Sequence, residues 1–168
     1  MYNLLLVDDE PLIKVAFQSA VEWGKNGFLL AATASNGQEA LHIVETQHID
    51  AVITDLKMPG MDGLALIHEL KKLNFTGPIL VLSNYSDFDS VRTALTDGAY
   101  DYFLKINMNG ESIGEHLEKM ADLLRVQQQR QTEEDHRSFA IEAQKKENAL
   151  IHCAQWVTST AEPSPASN

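Results

Sequence analysis

The chain has 168 residues, 44% of them hydrophobic, which is enough for one α/β domain with a core and a smaller additional segment. Its formal net charge of -11 argues against nucleic-acid binding by this chain itself, because phosphate neutralisation needs a basic face. No apolar stretch approaches the roughly 18 residues of a membrane span, and no basic leader precedes the first apolar run, so we expect a cytoplasmic protein.

Five short apolar runs alternate with amphipathic helical patterns along most of the chain. The runs cover residues 3–7, 28–34, 51–54, 78–83 and 100–105. Alternation of this kind is typical of β–α units whose strands form a parallel sheet. The sequence therefore predicts an α/β fold with the helices packed on the faces of that sheet.

Residues at the helix ends support this assignment. Pro11 is compatible with the opening turn of a first helix, and Asn36 is a suitable N-cap for the second. Ser86 or Asp87 is expected to cap the fourth helix, and Gly98 suits the left-handed position that ends it.

The chain changes character after about residue 112, where a helical pattern continues without proline until Pro163. A helix from there to Ile151 would have about 40 residues and a length of about 60 Å. Residues 127–137 contain no apolar side chain, so they cannot pack on a core. We expect a compact domain over 1–124, a helical linker or weak coiled coil over 125–157, and a disordered tail over 158–168.

Acidic residues stand where two of the strands end. Asp8 and Asp9 follow the first run, and Asp55 follows the third. Because parallel strands joined by right-handed crossovers end along one sheet edge, these carboxylates are expected to converge there. Carboxylates about 4 Å apart repel by roughly 4 kcal/mol near a protein surface. The cluster therefore predicts a bound cation, which we interpret as Mg²⁺. Alone, an aspartate pair after a strand is also compatible with a helix cap.

The chain from Tyr2 to about Met120 resembles the receiver domain of bacterial two-component response regulators. The motif elements are Asp8-Asp9, Asp55 within Asp55-Leu56-Lys57-Met58-Pro59-Gly60-Met61-Asp62-Gly63, Ser83, Tyr102 and Lys105. This resemblance implies a doubly wound, flavodoxin-like sheet of five parallel strands in the order 2-1-3-4-5, extended by a C-terminal helix.

The resemblance also implies a role for each residue at the acidic edge. Asp55 would be the phosphoacceptor, modified by a sensor histidine kinase. Asp9, Asp55 and the backbone carbonyl of Lys57 would ligate Mg²⁺, and Asp8 would hold a coordinated water. Lys105 would pair with Asp55 and then with the phosphoryl group.

Two further residues would transmit the modification. The hydroxyl of Ser83 would bind a phosphoryl oxygen and pull the loop after the fourth strand inward. Tyr102 would then move into the space that this loop leaves. A change on the face of the fourth helix, fifth strand and fifth helix would follow, and that face or the C-terminal helix would form a homodimer. Considered alone, Ser83 is more typical of a hydroxyl satisfied by the local backbone, and Tyr102 is more typical of half-buried packing in a strand.

The motif departs from the family at two places. Ile106 follows Lys105 where the family usually has a proline in a cis bond, which makes a trans bond expected here and leaves the position of the lysine open. Asn84 follows Ser83 where a small residue is common, so altered dephosphorylation is expected.

The segments 83–88 and 98–102 resemble receivers that precede an AraC-type helix-turn-helix domain. No basic recognition helix follows, so we expect either an N-terminal fragment of such a transcriptional regulator, which contacts DNA through a missing domain, or a stand-alone form. Apolar residues near Trp156 have nothing to pack on, which favours the fragment.

Two alternatives remain. One is a magnesium-dependent aspartyl phosphohydrolase, although Lys57 stands where such enzymes need an acid, so we expect no enzyme. The other is a non-phosphorylating dimerisation module.

Overall fold

A computed structural model of the protein describes residues 1–161. Five parallel strands form its central sheet. They are β1 (Tyr2–Val7), β2 (Phe28–Ala34), β3 (Ala51–Asp55), β4 (Ile79–Ser83) and β5 (Asp101–Leu104). Each corresponds to one of the apolar runs of the sequence, with ends that differ by one residue at most.

Five helices connect or follow the strands. They are α1 (Pro11–Ala20), α2 (Gly37–Thr46), α3 (Gly63–Lys72), α4 (Phe88–Asp97) and α5 (Gly110–Thr160). Short 3-10 turns occupy Gly24–Asn26 and Lys105–Asn107.

The strand order is β2-β1-β3-β4-β5, which confirms the predicted doubly wound fold. β1 and β3 are direct neighbours, and Val7 at the end of β1 pairs with Thr54 near the end of β3. The residues that follow these strands therefore lie side by side at the carboxyl edge of the sheet.

Alternate side chains of β1 to β4 enter two separate hydrophobic clusters, one on each face of the sheet. The first cluster contains Leu5, Val52 and Val81 with side chains of α2, α3 and α4. The second contains Leu4 and Ile53 with side chains of α1 and the beginning of α5. Both faces are covered, as a parallel sheet of near-continuous apolar strands requires.

Three of the four predicted helix ends have the expected geometry, and the first of them is Pro11 in the opening turn of α1. The Asn36 side chain accepts a hydrogen bond from the backbone N–H of Glu39 at 2.9 Å, and Gly98 has a φ of 114°. The prediction for α4 was wrong in one respect, because Asp87 precedes the helix but makes no capping hydrogen bond. Its carboxylate is engaged with Asn84 and Lys57 instead.

The described chain divides into two units, one over residues 1–125 and one that begins at residue 126. The part of α5 that belongs to the first unit carries five buried side chains, namely Ile113, Leu117, Met120, Ala121 and Leu124. In the second unit, every described residue from 126 to 161 is exposed. The assignment of 125–157 as a linker or weak coiled coil stays a prediction.

The helix α5 continues to Thr160, so residues 158–160 are helical rather than part of the expected disordered tail. Hydrogen bonds from the hydroxyls of Thr158 and Thr160 to carbonyls of the preceding turn accompany this extension, and no proline interrupts the helix before Pro163. Residues 162–168 of the predicted tail lie outside the described residues. Among residues 1–161, no helix is both long and apolar enough to cross a membrane.

Candidate functional site

Three carboxylates meet at the carboxyl edge of the sheet. Asp8 and Asp9 follow β1, and Asp55 is the last residue of β3. One oxygen from each carboxylate lies within 4.8 Å of the others. Asp8 and Asp55 are buried, whereas Asp9 is exposed to solvent. The cluster is thus open on one side and enclosed on the other.

The backbone around Asp55 is tightly held. The Thr54 hydroxyl donates to the Asp55 carbonyl oxygen at 2.9 Å, and the Lys57 amide lies 3.4 Å from Asp55 Oδ1. A Cβ at Gly63 would overlap the Asp55 carbonyl oxygen, so α3 can begin at this position only because the residue is glycine. These contacts fix the Asp55 carboxylate at the strand end.

Lys105 brings a single positive charge into the cluster. Its Nζ lies 3.0 Å from Asp55 Oδ2, 3.1 Å from Asp8 Oδ2 and 2.9 Å from Glu10 Oε1. Its side chain is 8% exposed. The contact with Glu10 was not predicted from the sequence. The run Asp8-Asp9-Glu10 was the available signal, since all three residues follow one strand end.

Burial sets the electrostatics of the site. It raises the pKa of Asp55 and of Asp8, although hydrogen bonds and charge from Lys105 act in the opposite direction. Burial lowers the pKa of Lys105, but its contacts with Glu10, Asp55 and Asp8 outweigh this effect and raise it. Three carboxylates thus contact the single ammonium group of Lys105, and the carboxylate of Asp9 lies beside two of them.

The carboxylate cluster fits a hard divalent cation. Oxygen donors suit Mg²⁺, which takes one or two carboxylates and keeps several waters. A cation beside Asp8, Asp9 and Asp55 would compensate the charge that Lys105 leaves unbalanced. Burial raises the pKa of Asp8 and of Asp55, so a cation beside them would favour their charged forms.

Ser83 and Tyr102 lie on the two strands beyond Asp55. Ser83 ends β4 and is fully buried, and within the described part of the chain its hydroxyl has no hydrogen-bond partner. Leu82, its neighbour, is the register partner of Asp55. Tyr102 lies in β5 and is 42% exposed.

The residue after Lys105 does not displace the lysine from the cluster. All peptide bonds of residues 1–161 are trans, including Lys105–Ile106. The backbone enters a short 3-10 turn at Lys105, and Ile106 is exposed. The side chain of Lys105 nevertheless reaches Asp8 and Asp55, as described above.

Asp87 is a buried acidic residue whose environment was not predicted. Burial opposes its ionisation, but hydrogen bonds and charge from the Lys57 side chain and the Asn84 amide outweigh this and lower the pKa of Asp87. Its side chain is 1% exposed, whereas that of Lys57 is 64% exposed. The sequence had placed only the backbone carbonyl of Lys57 in the site.

Residues 4–118 match the family model described as the response regulator receiver domain. Among curated proteins, the chain is similar to the uncharacterized transcriptional regulatory protein YesN of Bacillus subtilis, with 36% identity over 125 residues. It is also similar to the transcriptional regulatory protein MalR of the same organism, with 37% identity over 108 residues. These matches cover 74% and 62% of this chain but 34% and 44% of the relatives. The chain thus spans less than half the length of either protein.

Two solved structures have the same fold. The receiver domain of AraT, a response regulator from Geobacillus stearothermophilus, has a TM-score of 0.70 and 28% identity. A two-component transcriptional regulator AraC from Clostridium phytofermentans has a TM-score of 0.70 and 26% identity. Each comparison covers 76% of this chain and 98% of the other chain.

Proposed function

The chain belongs to the response regulator receiver domain family, and we propose that it accepts a phosphoryl group on Asp55 from a sensor histidine kinase with Mg²⁺ bound beside it. The observation that carries the proposal is the pairing of a buried strand-end carboxylate, Asp55, with Lys105 at 3.0 Å inside an acidic cluster. Each of these groups has a distinct part in phosphoryl transfer.

Asp55 is the nucleophile. One of its carboxylate oxygens forms a bond with phosphorus while the phosphorus–nitrogen bond of the donor histidine breaks. The leaving imidazole nitrogen takes up a proton from water. The product is an acyl phosphate on Asp55, and the donor histidine returns to its free form.

The remaining groups of the cluster balance charge. Asp9, Asp55 and the Lys57 carbonyl would hold Mg²⁺, and Asp8 would hold one of its waters. The ion would neutralise charge on the transferring oxygens. Lys105 already contacts both Asp8 and Asp55. Its ammonium group would therefore need only a small movement to pair with a phosphoryl oxygen on Asp55.

Ser83 and Tyr102 would convert the modification into a change of surface. The unpartnered, buried hydroxyl of Ser83 is available to donate to a phosphoryl oxygen. Its inward movement would leave space for Tyr102, which is partly exposed before the change. The outcome is an altered face formed by α4, β5 and the beginning of α5.

The output would be transcriptional. Relatives named as transcriptional regulatory proteins are more than twice as long as the segment they share with this chain. We propose a cytoplasmic regulator whose DNA contacts come from a domain outside this chain, with homodimerisation through the α4-β5-α5 face or the C-terminal helix. The chain would not act on external substrates, beyond slow hydrolysis of its own acyl phosphate.

The test is phosphorylation of the full chain with acetyl phosphate and Mg²⁺, followed by intact-mass measurement. We expect one added phosphoryl group in the wild type and in the control Asp89→Asn, which changes an exposed aspartate of α4. We expect none in Asp55→Asn, and none in the wild type when EDTA replaces Mg²⁺.

The proposal would be refuted by a wild-type chain that gains no mass, or by equal gain in Asp55→Asn. Repeated release of phosphate from simple esters would instead support the hydrolase alternative. The Lys57 side chain, at the position where that mechanism needs an acid, argues against it.

A further inference from the structure

The turn after β4 is closed by two reciprocal hydrogen bonds. The backbone N–H of Asp87 donates to the Asn84 carbonyl at 3.1 Å, and the Asn84 N–H donates to Asp87 Oδ2 at 2.9 Å. Asn84 directly follows Ser83, so the Asp87 carboxylate restrains the first residue beyond the buried serine. The turn therefore begins directly after Ser83, the last residue of β4.

The second carboxylate oxygen of Asp87 pairs with a residue from a different loop. Asp87 Oδ1 forms an ion pair with Lys57 Nζ, two residues beyond Asp55. The Asp87 side chain is almost fully buried at 1% exposure. A carboxylate removed from water to this extent needs its partners, because an unpaired buried charge is costly. Lys57 is the cation that the structure places against it.

The pair joins two loops that both border Asp55. One is the loop between β3 and α3, and the other is the turn between β4 and α4. These loops follow neighbouring strands in the sheet. Neither side chain takes part in the acidic cluster around Lys105, so the pair is a separate feature of the same sheet edge.

We propose that the Lys57–Asp87 ion pair is a latch that fixes the Asn84–Asp87 turn against the loop beyond Asp55 and so positions Ser83 for the phosphoryl group. Lys57 and Asp87 are positioning residues, since neither side chain contacts Asp55. The latch rests on the proposed function in one respect only, namely that Ser83 is positioned for a phosphoryl group on Asp55. The restraint on the Asn84 amide is independent of phosphorylation.

The first test measures that restraint directly by hydrogen exchange of the Asn84 amide in the full chain. We expect exchange to accelerate about tenfold in Lys57→Met, the change for a weakened hydrogen bond to a charged acceptor. Lys57→Arg should restore the wild-type rate. Lys72→Met is the matched control, because Lys72 is 66% exposed and its ion pair with Glu69 lies elsewhere, on α3. It should leave the Asn84 amide unchanged.

The second test measures the lifetime of the acyl phosphate in the wild type, Lys57→Met, Asp87→Asn and the double variant. A loose turn admits water to Asp55, so each single variant should shorten the lifetime by about threefold or more. Because the two residues act as a unit, the double variant should be no worse than the more severe single variant. These substitutions leave the Lys57 backbone carbonyl in place.

Two results would overturn the latch. One is an Asn84 amide that exchanges at the same rate in Lys57→Met and in the wild type, whether or not the chain is phosphorylated. The other is lifetime effects of Lys57→Met and Asp87→Asn that multiply in the double variant. Failure of Asp55 to gain a phosphoryl group would contradict the proposed function, and the exchange experiment would still decide the latch.

Discussion

Replacing Asp55 with asparagine is expected to stabilise the folded chain at neutral pH when divalent cations are absent. Asp55 lies within 4.8 Å of two carboxylates and 3.0 Å from the Lys105 ammonium. At an effective dielectric constant of about 20, each carboxylate repels Asp55 by about 3.5 kcal/mol and Lys105 attracts it by about 5.5 kcal/mol. The net repulsion is about 1–2 kcal/mol, and burial of the charge adds to it.

Loss of the contact between Asp55 and Lys105 should lower the free energy of unfolding only slightly. Lys105 keeps Asp8 at 3.1 Å and Glu10 at 2.9 Å, so its charge stays paired. We therefore expect Asp55→Asn to raise the free energy of unfolding by about 1–3 kcal/mol at pH 7, of the order of the relieved repulsion.

The pH dependence gives the sign of the effect. A carboxyl group whose pKa is raised on folding favours the folded state when protonated, and this contribution is lost as pH rises through the raised pKa. Burial raises the pKa of Asp55, so wild-type Asp55 destabilises the fold at neutral pH relative to acidic pH. Asparagine does not titrate. The advantage of Asp55→Asn should consequently shrink as pH falls through that raised pKa.

Urea unfolding with EDTA, from about pH 7.5 down to about pH 4, measures this difference. Asp89→Asn serves as the control, because it removes an exposed aspartate. Added Mg²⁺ should stabilise the wild type and leave Asp55→Asn nearly unchanged. The electrostatic argument is wrong if Asp55→Asn is no more stable than the wild type at pH 7, or if its advantage is constant over the pH range.

Three further predictions concern the core, a helix cap and a close backbone approach, and urea unfolding tests each of them. Leu117→Ala should lose about 2–5 kcal/mol because Leu117 is fully buried, whereas Leu150→Ala, at a residue 72% exposed, should change stability by less than about 0.5 kcal/mol; equal losses would contradict the assigned core. Asn36→Ala should lose about 1 kcal/mol with its cap bond to Glu39, and an unchanged midpoint would show that the cap is not needed. Gly63→Ala should lose about 1–3 kcal/mol because its Cβ would overlap the Asp55 carbonyl, and a neutral effect would contradict that close approach.

Much of the fold was predictable from local patterns. The five apolar runs, the cap at Asn36 and the left-handed Gly98 depend on residues close together in the chain, and each is found in the structure. Strand ends also predicted that Asp8, Asp9 and Asp55 would converge, because all strands of a parallel sheet end at the same edge.

The contacts of the site depended on tertiary structure. Lys105 is 95 residues from Glu10 in the sequence, and the folded sheet brings their side chains together. Asp87 had the sequence position of a helix cap, yet the fold brings Lys57 and Asn84 to its carboxylate and gives it a different role. A residue type and its spacing determine which bonds are possible. Packing of distant segments decides which of them form.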